Sequence, residues 1–582
     1  MTSPAVGPVE RGSAGPAAEY DVIVVGGGIN GLTAAVYLQK SGLRVACFER
    51  KLEAGSGCCT EEVLHPGVKV NLCACNLVTL WSPVYGDLEL EKFGLEMLTS
   101  SEWGMFHPFK DRSAVLFNSW NPRKQYEHWK SINAHDAEVF RTLYNTLAPG
   151  MSEALQLMLY SQATGGPDEA ESVAGTVGLL RHIIPGMPEN AHELTGIELV
   201  EAVYQDEKIR TALLTNGVMM GALPWNRGED AIMSVLFPVI QVINSSTWTA
   251  RGGSHAVTHA LCSCFAAHGG RLFTGCPVEQ FIMQGDEVQG VVLSKHAVYP
   301  EAEVRATRAV VSNLSCHPTF LGLVGEEKLP DWIKQGVDEY KYDEGMMFTN
   351  YWVLDRPPRW EGYPEEVDEA YGFNFGLESV EDIRRLERNL AVDELPDPPI
   401  VAGLSVQGFS LADPTQSPEG QYTAMAWSCV PYELPAHGGP GQWDRIREEY
   451  GDKVDDLLRE YNPAMMDSVV ARYCNSPLDY YRKNPSQMLG ATRSGSAGGR
   501  WYGTARPFPG CGAPRTPFGK LYLSNSIWPV GTSTLGAGYV AATEVARDLG
   551  VLEGQDWWRH RALEAGVEVL RRRGIEIAPN IP

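Results

Sequence analysis

A chain of 582 residues, 44% apolar and 21% charged, has the composition of a globular protein and the length for two or more domains. Its net charge of −24 excludes a nucleic-acid surface and adsorption to an anionic membrane by charge alone. Twelve cysteines without one C-x-x-C pair lack zinc or cluster spacing, and their scatter along expected strands and helices points to reduced thiols in a cytoplasm.

Residues 1–19 are rich in Ala, Gly, Pro and Ser and lack a basic start and an apolar core, so they read as a disordered leader. Asp21 to Val25 is a β-branched apolar run, as expected of a strand buried on both faces. Gly26, Gly28 and Gly31 follow at G-x-G-x-x-G spacing. Ile29 to Lys40 carries helical periodicity, Ser41-Gly42 stops it, and a strand from Leu43 to Phe48 leads to Glu49. The physical logic is a phosphate cradle. Gly26 makes the tight turn, Gly28 lets backbone approach a diphosphate, and Gly31 lets helix and strand pack closely. Ile29 and Asn30 open the helix whose N-terminus attracts the anion, and Glu49, eighteen residues past Gly31, is placed to bind a ribose diol. The acid argues against a 2′-phosphate but does not separate NAD from FAD.

After Glu49 and Arg50, the small residues Gly55, Ser56 and Gly57 can pass close to a second part of the same cofactor, which favours FAD. Glu61 to Asn71 reads as a strand pair about a Pro66-Gly67 turn. The run E-R-x4-G-S-x3-T-E-E-V-x2-P-G over 49–67 resembles the phytoene-desaturase-like flavoproteins, in the phytoene dehydrogenase-related, pyridine nucleotide-disulfide oxidoreductase domain 2-like branch. The family's second loop glycine is Ser56 here, and its Asp after the turn is Asn71. The resemblance implies an α/β fold of the two-dinucleotide-binding-domain type: a Rossmann-like FAD domain with a mixed α+β substrate domain.

Further along, His135-Asp136-Ala137-Glu138 opens a helix and matches that family's Asp-Ala start, while Trp103, Phe106, Trp120 and Trp129 read mostly as core. Ala231 to Ile243, thirteen residues interrupted by Ser234 and Pro238, is too short to span a bilayer and reads as a buried helix. The resembling proteins put substrate-channel helices here, some of which dip into a membrane, so peripheral contact stays open. Arg251 to Asn313 is expected to return to the first sheet, with a helix over 254–268, a strand over 271–273, a hairpin over 278–293 and the run ATRAVVSN over 306–313. By the resemblance, Val278 holds the adenine through its backbone, and Ser312 in that last run joins the cofactor set. Strands are expected at 346–355, 400–407 and 421–430, with an amphipathic helix at 443–461. The order D-P-x-x-x-P-E-G, P-Y, S-P-L-D over 413–479 matches the same branch closely. A strand at 520–523 and a helix from Leu535 or Gly536 close the site, with Asn525, Gly531, Thr534, Leu535 and Gly536 as cofactor contacts. The family's glycines are replaced at Val530, Thr532 and Leu535.

These readings divide the chain into an FAD-binding domain of 20–95, 245–330 and 488–550, a substrate domain of 96–244 and 331–487, and a C-terminal helix and tail over 551–582. Candidates for chemistry are Trp528 as an aromatic wall, Asn525 beside it, His255 at a helix start, and Arg493 as an anion binder. Each also has a plain structural reading, and the family's histidine near Arg493 is missing. Cys58, Cys59, Cys73 and Cys75 read as buried packing residues. The expected function is dehydrogenation or desaturation of a largely apolar small molecule by hydride transfer to FAD, with O2 or a quinone-like acceptor and no metal. An amine or other metabolite oxidase, a non-redox flavin-dependent isomerase and a non-enzymatic scaffold are the alternatives.

Overall fold

The computed structural model describes residues 15–75, 77, 79–99, 101–160, 169–184, 187–220, 223–243, 247–342, 346–491, 495, 505–527, 535–558 and 564–582. Two seven-stranded sheets carry the fold. The first begins with Glu19–Val25, whose Val22 and Val24 face a helical layer while Ile23 and Val25 face the opposite core. Both faces are covered, so the strand is a continuous apolar run without alternation. Helix Ile29–Lys40 follows and ends at Ser41, with Gly42 at φ 95°. Strand Val45–Phe48 starts two residues later than the periodicity predicts, because Leu43 and Arg44 still belong to the connection that follows the Ser41-Gly42 turn.

In this sheet Glu19–Val25 lies between Val45–Phe48 and Glu303–Ser312, both parallel to it. Arg271–Phe273 adds a parallel strand beyond Val45–Phe48. Leu521–Leu523 pairs parallel with the end of Glu303–Ser312, while the hairpin Val278–Gln284 and Glu287–Leu293 pairs antiparallel with its start. Strands from three distant parts of the chain therefore share one sheet.

The second sheet runs Val469–Asn475, Met346–Leu354, Tyr422–Val430, Val401–Leu404, Gly372–Phe375, Trp103–Pro108, Ala114–Asn118. Its pairings are antiparallel except that between Gly372–Phe375 and Trp103–Pro108. Alternation sorts its side chains by face. Phe348, Trp352, Ala424 and Ala426 join one core with Trp443 and Tyr450 of helix Trp443–Tyr461. Tyr351, Val353 and Met425 join another with Val68, Val70 and Cys75. Between the first two strands of this sheet and the return to the first lies a helical block, Pro122–Ile132 to Glu229–Ile243. The apolar run at 231–243 is a helix with Pro238 inside it, and Val235, Val239 and Val242 are fully buried. Asp136 is fully buried, and its carboxylate accepts the backbone N–H groups of Gln205 and Asp206 at 2.7 and 2.8 Å. Among the described residues no helix is long and apolar enough to cross a membrane.

Candidate functional site

The parallel strands of the first sheet end level with one another. Val25 pairs with Phe48 and Ser312, Phe48 with Phe273, and Ser312 with Leu523. The residues just past those ends, Gly26, Glu49, Asn313 and Ser524, therefore collect along one edge, where parallel α/β sheets take their ligands. Gly26 turns the chain at φ 98°, and Gly28, in extended conformation, caps helix Ile29–Lys40. The Gly27 N–H donates to Glu49 Oε2 at 2.7 Å, and the Lys51 N–H donates to Oε1 at 2.8 Å. Glu49 is 9% exposed and thus ties the glycine turn to its own strand end. Each oxygen keeps a second lone pair, which suits a pair of vicinal hydroxyls.

The glycines answer to different neighbours. A Cβ on Gly31 would lie 2.2 Å from the Gly26 carbonyl oxygen, the close helix–strand approach expected of it. A Cβ on Gly28 would lie 2.7 Å from Asn313 Nδ2, so at this position a protein carboxamide from the next strand occupies the space. Asn313 donates its backbone N–H to the Val25 carbonyl at 2.8 Å and accepts from Ser524 Oγ at Oδ1 at 3.2 Å. Sequence reasoning missed it as a site residue, although it ends the 306–313 run at the strand terminus that meets the glycines.

The loop after Glu49 crosses the turn. Gly55 N–H donates to Gly27 O at 2.9 Å, and Gly55 forms a parallel bridge with Gly28. Gly55 and Ser56 have φ of 123° and 52°, so Ser56 holds a left-handed conformation that glycine would adopt freely. Its hydroxyl accepts from Asn484 Nδ2 at 2.6 Å. The Gly57 carbonyl accepts the Ala74 N–H at 2.9 Å, and exposed Arg50 donates to the Lys483 carbonyl at 3.1 Å. The segment after helix Pro477–Lys483 thereby reaches from the second sheet to the cradle, a contact 428 residues distant in sequence for Asn484 and Ser56, with no local signal.

His255 takes a task other than the expected catalytic one. Its ring Nε2 lies 2.8 Å from the Ala54 carbonyl, an acceptor only, so Nε2 carries the proton and donates. Its backbone N–H donates to Thr60 Oγ1 at 3.1 Å, and burial lowers the imidazole's proton affinity. His255 therefore props the cofactor loop from the helix side. Burial likewise raises the thiols of Cys58, Cys59 and Cys73, the last to about 12, which leaves them protonated and inert at neutral pH. None of the twelve cysteines is in a disulfide.

The return block meets Glu49 through two backbone bonds, Glu49 N–H to Phe273 O and Cys276 N–H to Glu49 O, and meets Lys51 through a third, Gly275 N–H to Lys51 O. Half-buried Val278, two residues past Cys276, opens the hairpin strand Val278–Gln284. Ser312 is fully buried, with Oγ 2.8 Å from Thr319 Oγ1 and its carbonyl accepting the Ser524 N–H. These polar groups are spent inside the sheet rather than turned to a ligand. Asn525 is similarly engaged, donating from Nδ2 to Asn313 O at 3.1 Å and accepting the Ser526 N–H at 2.6 Å. Leu535, buried at φ 60°, precedes helix Gly536–Asp548. Asn30 Oδ1 accepts the Gly538 N–H at 3.0 Å, which joins the first turns of two helices. Two positive helix ends thus meet beside the glycine turn, a setting that favours an anion. Trp528, Arg493, Gly531 and Thr534 lie outside the described residues.

An apolar groove of about 680 Å³ between Tyr144, Ala148 and the tail at 574–579 shares no residue with this cradle. The face of the second sheet nearer the cofactor loops carries Tyr351, Tyr371, Leu404 and Met425, packed with Cys59, Leu72 and Cys75.

Residues 24–87 match the NAD(P)-binding Rossmann-like domain. The chain is 26% identical over 553 residues to a component of the limonene dehydrogenase of Castellaniella defragrans, covering 93% of this chain and 96% of that protein. It is 28% identical over 573 residues to the rat (Rattus norvegicus) pyridine nucleotide-disulfide oxidoreductase domain-containing protein 2, covering 91% and 94%. Among solved structures, an engineered putrescine oxidase superposes with a TM-score of 0.57 at 15% identity, covering 92% of this chain and 99% of that one. The last comparison shows a shared fold.

Proposed function

We propose that this chain, a full-length homologue of a limonene dehydrogenase component and of the pyridine nucleotide-disulfide oxidoreductase domain 2 proteins, is an FAD-dependent oxidoreductase that dehydrogenates a largely apolar small molecule. The observation that carries the reading is the cradle. Gly26 to Gly31, the Gly55–Ser56 loop and the joined helix ends at Asn30 and Gly538 meet at one sheet edge. The residues fit the cofactor: Glu49 retains lone pairs for a ribose diol, and the glycine turn faces two helix N-termini suited to a diphosphate. Val278 would hold the adenine by its main chain. When bound, FAD supplies a two-electron acceptor for a hydride.

The chain's own residues do the rest. Gly27, Lys51 and Glu49 fix the turn, while His255 and Asn484 hold the loop that closes over it. Residues 96–244 and 331–487 form the substrate part, and the likeness to a limonene dehydrogenase component supports an apolar substrate. The acceptor is O2 or a quinone-like molecule, and twelve cysteines outside any disulfide support a reducing cytoplasm as the site of action.

Anaerobic mixing of the purified flavoprotein with monoterpenes or polyenes, followed at the flavin's visible absorption, tests this. Bleaching by an apolar alkene is the expected result. A colourless protein that takes up no FAD overturns the cofactor reading. Bleaching by amines alone favours the second reading, amine oxidation, which the fold shared with putrescine oxidase supports.

A further inference from the structure

Beside the cofactor loop, on its outer side, three side chains converge that none of the roles above uses to bind a ligand. His255 and His259 stand four residues apart on helix His255–Ala267, so they share a face, and their rings lie with centroids 4.3 Å apart at an interplanar angle of 37°. Glu53, on the loop, sends Oε1 to 3.5 Å from His255 Nδ1 and 3.7 Å from His259 Nε2. One ligand atom from each of the three lies within 4.8 Å of the others. A tetrahedral zinc ion with bonds of about 2.0–2.1 Å holds its ligands about 3.4 Å apart, close to both measured gaps.

The tautomer sharpens the case. His255 Nε2–H is committed to the Ala54 carbonyl, so in the neutral ring Nδ1 presents a lone pair to a carboxylate oxygen, an unfavourable facing that a cation between them relieves. A ring N–H bound to a backbone carbonyl is also the outer contact that orients metal-ligating histidines. His255 is pre-set and 8% exposed, whereas Glu53 and His259 are 67% and 65% exposed and have room to close on an ion.

We propose that Glu53, His255 and His259 form a mononuclear site for a divalent transition metal of the zinc class, with water completing the tetrahedron. Occupied, it links the loop preceding Gly55 to helix His255–Ala267. Binding stands on this geometry alone and does not depend on the redox reading.

The test is calorimetric titration of the chelator-treated full-length protein with Zn2+, beside His259→Ala and Glu53→Gln. Both changed side chains are exposed, and circular dichroism checks that each variant folds. One saturable ion is expected in the parent chain, with affinity falling in each variant by at least the roughly 10–100-fold that outer-contact changes cost. Absence of a saturable site in the parent overturns the proposal. So does binding that both variants retain unchanged, which would assign the ion to cysteines. Flavin content, read from the same samples, reports the cofactor reading separately.

Discussion

At the scale of single residues, glycines of one motif do unequal work. Gly31 has no room for a methyl group, with the Gly26 carbonyl 2.2 Å from its would-be Cβ, whereas Gly42 has nothing within 4 Å and only a positive φ to satisfy. Gly31→Ala is expected to cost about 3 kcal/mol or more, the upper end for overpacking, and to lower bound flavin. Gly42→Ala is expected to cost about 1 kcal/mol from backbone strain alone. Urea denaturation ranks the two, and equal losses would refute the assignment. Ser56 offers a coupled case, because its hydroxyl takes the Asn484 carboxamide while its backbone sits at φ 52°. Asn484→Ala is expected to cost about 1 kcal/mol in the native background and markedly less once Ser56→Gly is in place. A double-mutant cycle with no coupling would mean the bond contributes nothing. The glycine turn and Glu49 beside it were legible in sequence because their demands are local. Asn313 and Asn484 were not, because their partners arrive from strands and loops hundreds of residues away.

At the scale of elements, boundaries agree best where the turn chemistry is strong. Helices Ile29–Lys40 and Trp443–Tyr461 and strand Arg271–Phe273 fall where periodicity places them. Strand Val401–Leu404 is shorter than the expected 400–407, since Ser405 turns the chain and its hydroxyl accepts the Gln407 N–H. Strand Trp103–Pro108 buries His107 completely, with Nε2–H donating to the Leu377 carbonyl at 2.8 Å. Burial pulls its pKa down from the usual 6.5 to about 4. The unfolded chain therefore binds the extra proton first. This stability contribution is complete above pH 6.5 and is lost as pH falls through the window down to 4. From pH 7 to pH 5 the loss from this one group is about 2 kcal/mol. His107→Gln should flatten that part of the pH profile, read by urea unfolding at the two pH values. An unchanged slope would show that burial does not depress the His107 pKa.

At the scale of the molecule, the cradle is assembled from 26–57, 273–313, 524–525 and 535–538, so a bound cofactor ties distant segments together. A ligand that binds only the folded chain at 100 times its Kd adds about 2.7 kcal/mol. Stripping flavin should lower the unfolding temperature, and refilling should restore it in a concentration-dependent way. Glu49→Ala, which removes the acceptor for two backbone N–H groups, should lower the apo protein's stability and blunt that response. A melting temperature indifferent to added FAD would contradict the cradle.

The sequence by itself determined the strand–turn–helix unit at 21–49, the family resemblance and most element positions, because glycine spacing, apolar period and turn residues act over a few neighbours. The tertiary structure decided which strand ends lie level, that Trp103–Pro108 pairs with Gly372–Phe375, and that His255 braces a loop. Those outcomes depend on contacts between segments far apart in the chain, where a residue's role is set by what folding brings beside it and not by its neighbours in sequence.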